Sequence, residues 1–239
     1  MKKKFVIVFD TETCNSLMIN DKLDLSQSLV YDIGWQVVDL HGNIYEQKSF
    51  VIYETFVGMK DVMKSAYYAK KIPMYEEQLA KGERQLVRFA TMRSKLLETM
   101  ETYGTNVVAS AHNALFDIRA LNNTQRYITK LKYRFFFPYG TEIWDTLKMA
   151  RQTYAKEKGY IHFCEENNYM TNHVVPRPRL TAEILYRYIS GDDEFEEEHT
   201  GLADVQIESE ILWAILRKHK KIDKVVGANK APTTQKEVE

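Results

Sequence analysis

Acidic residues recur in this chain in company that suits metal-assisted chemistry. Asp10 and Glu12 stand in Phe9-Asp10-Thr11-Glu12-Thr13, Asp117 follows His112-Asn113, and Asp204 comes five positions after His199. Hard divalent ions take carboxylate oxygens, and two such ions with a proton acceptor beside them can hydrolyse a phosphodiester. Each piece alone has a plainer reading. Asp10 can open a turn beside a solvated Glu12, Asp117 and Asp204 can offset helix dipoles, and His199 can be an ordinary exposed histidine.

The surrounding patterns predict elements that bring these pieces together. Phe5-Val6-Ile7-Val8-Phe9 is an unbroken apolar run, the pattern of a strand buried on both faces. Residues i and i+2 of an extended chain share a side, so Asp10 and Glu12 can reach one point with Thr11 turned away. A second strand-like run, 106–111, leads to His112-Asn113 and then to apolar residues at helical spacing from Ala114 to Leu121. Asn113 suits the N-cap, which puts Asp117 one turn into that helix. Thr200 suits the N-cap of an amphipathic helix over Gly201 to His219, striped by Leu202, Val205, Ile211, Leu212, Ile215 and Leu216. Asp204 then falls in its first turn with His199 just ahead.

In this order the pieces resemble the DEDD exonucleases, in the DEDDh subclass that has a histidine five positions before the last aspartate. That subclass includes the proofreading subunit of bacterial DNA polymerase III, ribonuclease T and oligoribonuclease. Phe9-Asp10-Thr11-Glu12-Thr13 matches its first motif, His112 to Asp117 its second and His199 to Asp204 its third, over residues 4 to 216. The resemblance implies a metal-dependent 3′–5′ exonuclease that releases nucleoside 5′-monophosphates. Asp10, Glu12, Asp117 and Asp204 would hold two ions, Mg²⁺ or Mn²⁺, and His199 would deprotonate the attacking water. Thr11, Thr13 and Asn113, next to the ligands, would hold the terminal nucleotide or orient the carboxylates, although such residues also cap and close turns. Single-stranded or frayed DNA is the favoured substrate, with RNA as the enzyme alternative. A polymerase-accessory, nucleic-acid-binding protein with secondary exonuclease activity is the alternative of another class.

The implied fold class is α/β, a ribonuclease H-like mixed five-stranded sheet flanked by helices. Tyr31–Val38 and Ile44–Ile52 read as strands joined at His41-Gly42-Asn43. The strand near Val107 would lie beside the first, and Asp145 reads as the cap of a helix through Ala155. Residues 56–103 read as a helical insertion, with Met59, Met63, Tyr67, Tyr68 and Tyr75 in its earlier part and a helical rhythm from Leu86 to Tyr103. Its tyrosines would pack on the sheet or stack on bases. One domain over 1–226 and a polar, disordered tail over 227–239 complete the expected organisation.

At 239 residues the chain suits one domain with a good core. With 33 basic and 33 acidic residues there is no global field to draw it to nucleic acid. That task falls to local clusters, 130–134 and 217–221, unless these are solvated helix ends. An acidic run from Asp192 to Glu198 precedes His199 and, if close, would favour the imidazolium. Two cysteines, no secretory h-region and no membrane-length apolar stretch predict a reduced, cytoplasmic protein without a membrane partner. His162, Cys164 and His173 fit no common zinc spacing.

Overall fold

The computed structural model describes residues 4–15, 17–19, 22–24, 26–64, 66–104, 107–130, 135–218 and 221–228. Most of the 130–134 cluster, two members of the 217–221 cluster and nearly all of the expected tail lie outside these residues. In chain order the strands are β1 (Phe5–Cys14), β2 (Leu17–Ile19), β3 (Lys22–Asp24), β4 (Leu29–Asp39), β5 (Ile44–Ile52), β6 (Leu86–Val87), β7 (Val108–Ala111), β8 (Glu142–Asp145) and β9 (Val225–Ala228). The α-helices are α1 (Tyr53–Phe56), α2 (Lys60–Met63), α3 (Ile72–Ala80), α4 (Phe89–Tyr103), α5 (Ala114–Thr129), α6 (Thr146–Gln152), α7 (Lys158–Glu166), α8 (Ala182–Ser190) and α9 (Gly201–Arg217).

The main sheet runs β6-β5-β4-β1-β7-β8-β9. β1 is its middle strand, antiparallel to β4 and parallel to β7. The strand count corrects the expected five. Leu86-Val87 belongs to an edge strand pairing with β5 rather than to the following helix, and Val225–Ala228 adds the opposite edge beside β8. Gly227 and Ala228 are therefore sheet residues.

The alternation along β1 divides the core. Ile7 and Phe9 pack with Trp35 of β4, Phe89, Met92 and Leu96 of α4, and Ala120 and Leu121 of α5. Val6 and Val8 pack on the other face with Leu185 of α8 and Val205, Ile211 and Leu212 of α9. A third cluster joins Tyr31 and Val51 to Phe56, Met63 and Tyr75. The segment between β5 and β7 is thus anchored through buried aromatics, and Tyr75 is a core residue at 1% exposure, whereas Tyr67 is 86% exposed.

Two contacts fix α9 against the sheet. Gly34 of β4 and Gly201 at the start of α9 meet backbone to backbone: a Cβ on Gly201 would lie 2.5 Å from Gly34 N, and one on Gly34 would press closer still on the Gly201 carbonyl. Beside them Asp32, fully buried, accepts from the Gly201 N–H at 3.1 Å, the Tyr75 hydroxyl at 2.7 Å and the Arg84 guanidinium at 3.1 Å. Burial pushes the Asp32 carboxyl up, against the opposing pull of Arg84 first and of its hydrogen bonds after that. This buried carboxylate joins the central sheet, the α1–α4 segment and the start of α9.

Candidate active site

Asp10 and Glu12 lie inside β1, which continues to Cys14 rather than ending at Phe9. Asp10 pairs in register with Gly34 and Glu12 with Asp32, and a bulge follows Glu12. Period-two alternation sends these two acids to the α9 face and Thr11 to the α5 face. Thr11 meets Asp117 there: its N–H donates to Asp117 Oδ1 at 3.2 Å and its hydroxyl donates to the same oxygen at 2.7 Å. Asp117 lies one turn into α5, as the spacing predicts, and is 2% exposed.

Asn113 stands immediately before α5 but does not cap it with its side chain. It adopts the left-handed conformation (φ 66°, ψ 45°), and its N–H donates to Asp145 Oδ1 at 3.2 Å. The same Asp145 oxygen accepts the Lys148 N–H and caps α6, so the predicted cap is present and also ties β8 to the β7–α5 turn. Thr200 likewise precedes its helix without a side-chain capping bond; its hydroxyl donates to Glu198 Oε1 at 3.4 Å.

Asp204 occupies the first turn of α9, and its Oδ1 accepts the His199 N–H at 3.1 Å. His199 holds a positive φ of 52°, sparsely populated by residues other than glycine. Potential ligand atoms of Glu12, His199 and Asp204 all lie within 4.8 Å of one another. Burial and crowding by like charges lift the proton affinity of the acids. Glu12 is pushed up to about 9, by burial and then Asp204. Asp204 rises to about 8, by burial and then Glu197, and Asp117 to about 7, by burial, with the Thr11 hydroxyl opposing. Asp10 is raised well above its ordinary value by burial, then by Asp117, Glu208 and Asp204. Lys71 offsets part of this charge, and a divalent cation would offset far more.

Glu208 is a fifth acid that the motifs do not include. It sits one turn beyond Asp204 on α9, is 3% exposed and accepts the His112 N–H at 3.1 Å. Burial and Asp117 raise its carboxyl well above the ordinary range. Its signal in the sequence is the i, i+4 spacing from Asp204, which puts both acids on one helix face. His112 is a strut: Nε2–H donates to Leu180 O at 2.7 Å, so Nδ1, 3.0 Å from the Thr146 hydroxyl, is the accepting nitrogen of the neutral ring. Burial holds this imidazole below its usual range.

Most of the acidic run before His199 stays in solvent. Asp192, Asp193, Glu194, Glu196 and Glu198 are exposed, and only Glu197 turns inward, its Oε2 3.6 Å from His199 Nδ1. Burial pushes Glu197 itself up to about 7, with Glu183 adding to the effect. The α1–α4 segment supplies the opposing charge. Lys71 Nζ donates to the Glu198 carbonyl, and burial followed by Lys71 sets the His199 imidazole below its ordinary value rather than above it. Tyr68 stacks on the imidazole with ring centroids 4.3 Å apart and planes 19° apart, and Tyr67 meets Tyr68 edge-on at 4.8 Å. Neither aromatic was assignable to the histidine from spacing, because the contact joins segments 131 positions apart.

One open cavity of about 990 Å³ is lined by Asp10, Thr11, Glu12, Asn113, His199, Asp204 and Glu208 among others. Asp117, buried behind Thr11, and Thr13, beyond the bulge, are not among its lining residues. Among the described residues no helix is long and apolar enough to cross a membrane.

No family model and no curated protein sequence matches this chain. Solved structures do. A full-length 3′-exonuclease superposes with a TM-score of 0.62 at 12% identity, covering 100% of this chain and 94% of that one. A 3′-exonuclease solved in recognition of the histone mRNA stem-loop gives 0.60 at 12% identity, over 91% of this chain and 84% of the other. The nuclease domain of 3′hExo, a DEDDh family member bound to rAMP, gives 0.56 at 11% identity, over 92% and 95%. Likeness at such identities is likeness of architecture: this chain has the fold of the DEDDh 3′-exonucleases.

Proposed function

We propose that this protein is a metal-dependent 3′–5′ exonuclease that releases nucleoside 5′-monophosphates from the 3′ ends of single-stranded or frayed DNA. One observation carries the reading. Glu12 from β1, Asp204 from α9 and His199 from the preceding loop bring potential ligand atoms within 4.8 Å of one another, and Asp10 feels the charges of Glu12 and Asp204 as well as that of Asp117. The donors are almost all carboxylate oxygens, which suits Mg²⁺ or Mn²⁺. Asp10, Glu12, Asp117 and Asp204 would hold two such ions, which supply Lewis-acid stabilisation of charge on phosphoryl oxygens and make water a stronger nucleophile.

The chain's own groups do the rest. Thr11, with two donors on one oxygen of Asp117, fixes the orientation of that carboxylate beside Asp10. His199, held below its ordinary pKa and therefore neutral at pH 7, is ready to accept the proton of the attacking water. Tyr68 fixes the plane of its ring. Asn113, exposed at the cavity, would touch the terminal nucleotide; Thr13, outside the cavity lining, would act only through the strand that carries Asp10 and Glu12. A second reading, the same chemistry on RNA, is favoured by the similar structures solved with an mRNA stem-loop and with rAMP.

The test is stepwise shortening of 5′-labelled DNA and RNA oligomers, and release of labelled mononucleotides from the 3′-labelled ones, with Mg²⁺ or Mn²⁺ against EDTA, by wild type and Asp10→Ala. Turnover should vanish in Asp10→Ala while the circular dichroism spectrum is unchanged. Wild-type-like cleavage by a contaminant-free Asp10→Ala preparation would remove the metal-site assignment, and the ratio of DNA to RNA rates decides the sugar.

A further inference from the structure

The lining of the cavity carries both signs of charge: Asp10, Glu12, Asp204 and Glu208, and with them Arg151, Arg177 and Arg179. Arg177 and Arg179 lie on an arm between α7 and α8, where Met170 bridges to Pro178 and Thr171 N–H donates to Arg177 O at 2.8 Å. Arg179 N–H closes on Tyr169 O at 2.9 Å.

The arm is held to the body at its base. Tyr160 Oη donates to Arg179 O at 2.6 Å, His112 Nε2 donates to Leu180 O, and Arg187 Nη1 donates to Tyr169 Oη at 2.5 Å. Backbone this well tied is costly scaffolding for side chains with nothing to bind. Yet Arg151, Arg177 and Arg179 are exposed, and none has an acid partner among the described residues, although the chain carries equal numbers of acids and bases. Residues two apart on an extended arm share a side, so the two arm arginines face one way. The guanidinium fork matches phosphate oxygens in a bidentate manner.

We infer that the 167–181 arm is a phosphate clamp, in which Arg177 and Arg179, with Arg151 of α6, bind the phosphates of the nucleic-acid strand on the 5′ side of the scissile bond. The inference rests on the nuclease reading and adds the surface that grips the polyanion. It also accounts for how a chain of zero net charge attracts one: the attraction is local, and the acids of the same cavity are the part that metal would neutralise.

The experiment compares Arg177→Gln/Arg179→Gln with the unsubstituted arm, both in the Asp10→Ala background, by fluorescence anisotropy of a single-stranded 12-mer across a range of NaCl. Two lost contacts should reduce the slope of log K against log[NaCl] by about 1.4, at about 0.7 per phosphate contact on a single strand, and weaken binding at 100 mM NaCl by about tenfold. In the otherwise wild-type enzyme, the loss of kcat/KM on the 12-mer should exceed that on the p-nitrophenyl ester of thymidine 5′-monophosphate, which has no upstream phosphate, by a similar factor. Unchanged affinity and salt slope at an unchanged Tm would overturn the clamp, and so would equal losses on both substrates. An enzyme that binds the 12-mer with the predicted salt slope but hydrolyses nothing would instead overturn the nuclease reading.

Discussion

Replacing Asp10 by Asn should make the metal-free protein more stable, although Asp10 is central to the site. Five carboxyl groups, Asp10, Glu12, Asp117, Asp204 and Glu208, share one poorly solvated region; burial raises the pKa of each first, and repulsion from neighbouring acids, Glu197 and Asp145 included, adds to it. A carboxyl whose folded pKa is raised binds its proton more tightly in the native state. Stability without metal therefore falls as pH rises through the window between the unfolded and folded values. For Asp117 that window runs from 3.8 to about 7, for Asp204 from 3.8 to about 8, and for Glu12 from 4.5 to about 9. An isolated group shifted as far as Asp117 would lose about 4 kcal/mol over its window. These groups share their repulsion, so removing one charge recovers only part, about 1–3 kcal/mol at pH 8. At about 2–4 °C per kcal/mol for a chain of this size, Asp10→Asn should raise Tm by roughly 2–12 °C in EDTA at pH 8 and by much less at pH 5. Mn²⁺ should reverse the order, raising Tm of wild type substantially and of Asp10→Asn little. Thermal melts followed by circular dichroism at both pH values, with EDTA or Mn²⁺, read all four quantities. A variant destabilised equally at pH 5 and pH 8, with the wild-type response to Mn²⁺, would refute the reasoning that these acids are held in mutual repulsion awaiting a cation.

Three further outcomes follow from the contacts around His199 and Asp32. His199→Ala should lose about 10²–10⁴-fold in kcat while its Mn²⁺-induced Tm shift changes little; the rising limb of the wild-type pH–rate profile should lie below pH 6.5, and Lys71→Met, which removes a cation disfavouring the imidazolium, should move that limb to higher pH. Tyr67→Ala and Tyr68→Ala should separate: loss of the exposed ring weakens oligonucleotide binding by up to about 1–3 kcal/mol with kcat intact, whereas loss of the stacked ring lowers kcat by up to about tenfold, as expected for an aromatic contact of roughly 0.5–1.5 kcal/mol, and equal effects in both assays would show that neither role is distinct. Arg84→Met strands the Asp32 carboxylate and should cost about 3–5 kcal/mol, read as a fall in Cm for urea at unchanged m; a change under 1 kcal/mol would mean that Asp32 is neutral in the folded protein.

The acids and the histidine were legible because their types are rare in buried company and their order along the chain is informative. Strand β1, the β4–β5 hairpin, β7, α5 and α9 were legible because apolar periodicity reports a face. What escaped has a common cause. Glu208 looks like any exposed helix glutamate until α9 is docked, and the stacking of Tyr68 on His199 depends on a tertiary contact that no local pattern encodes. Leu86-Val87 shares its apolar character with the helix that follows, so a two-residue edge strand disappears into the helical rhythm. Whether the acidic run reaches His199 was not legible, because sequence counts charges without their orientation: five of its acids face solvent, and burial, then Lys71 from a distant segment, sets the histidine.

On the proposed site, the meeting of Gly34 with Gly201 should extend the list of positions on which activity depends beyond the groups that do chemistry. Asp10 lies opposite Gly34 in the sheet register, and Asp204 lies three residues after Gly201, so the gap between the two acids is set by an approach in which neither partner has a side chain. In a saturation survey scored for activity, both positions should accept almost nothing, alanine included, and would be indistinguishable from Asp10 or Asp204 by tolerance alone. Scored for folded protein they should part company, since a displaced α9 still buries most of its apolar face. Two glycines therefore act as the gauge of this site, and a methyl group on either would spoil its calibration before it spoiled the fold.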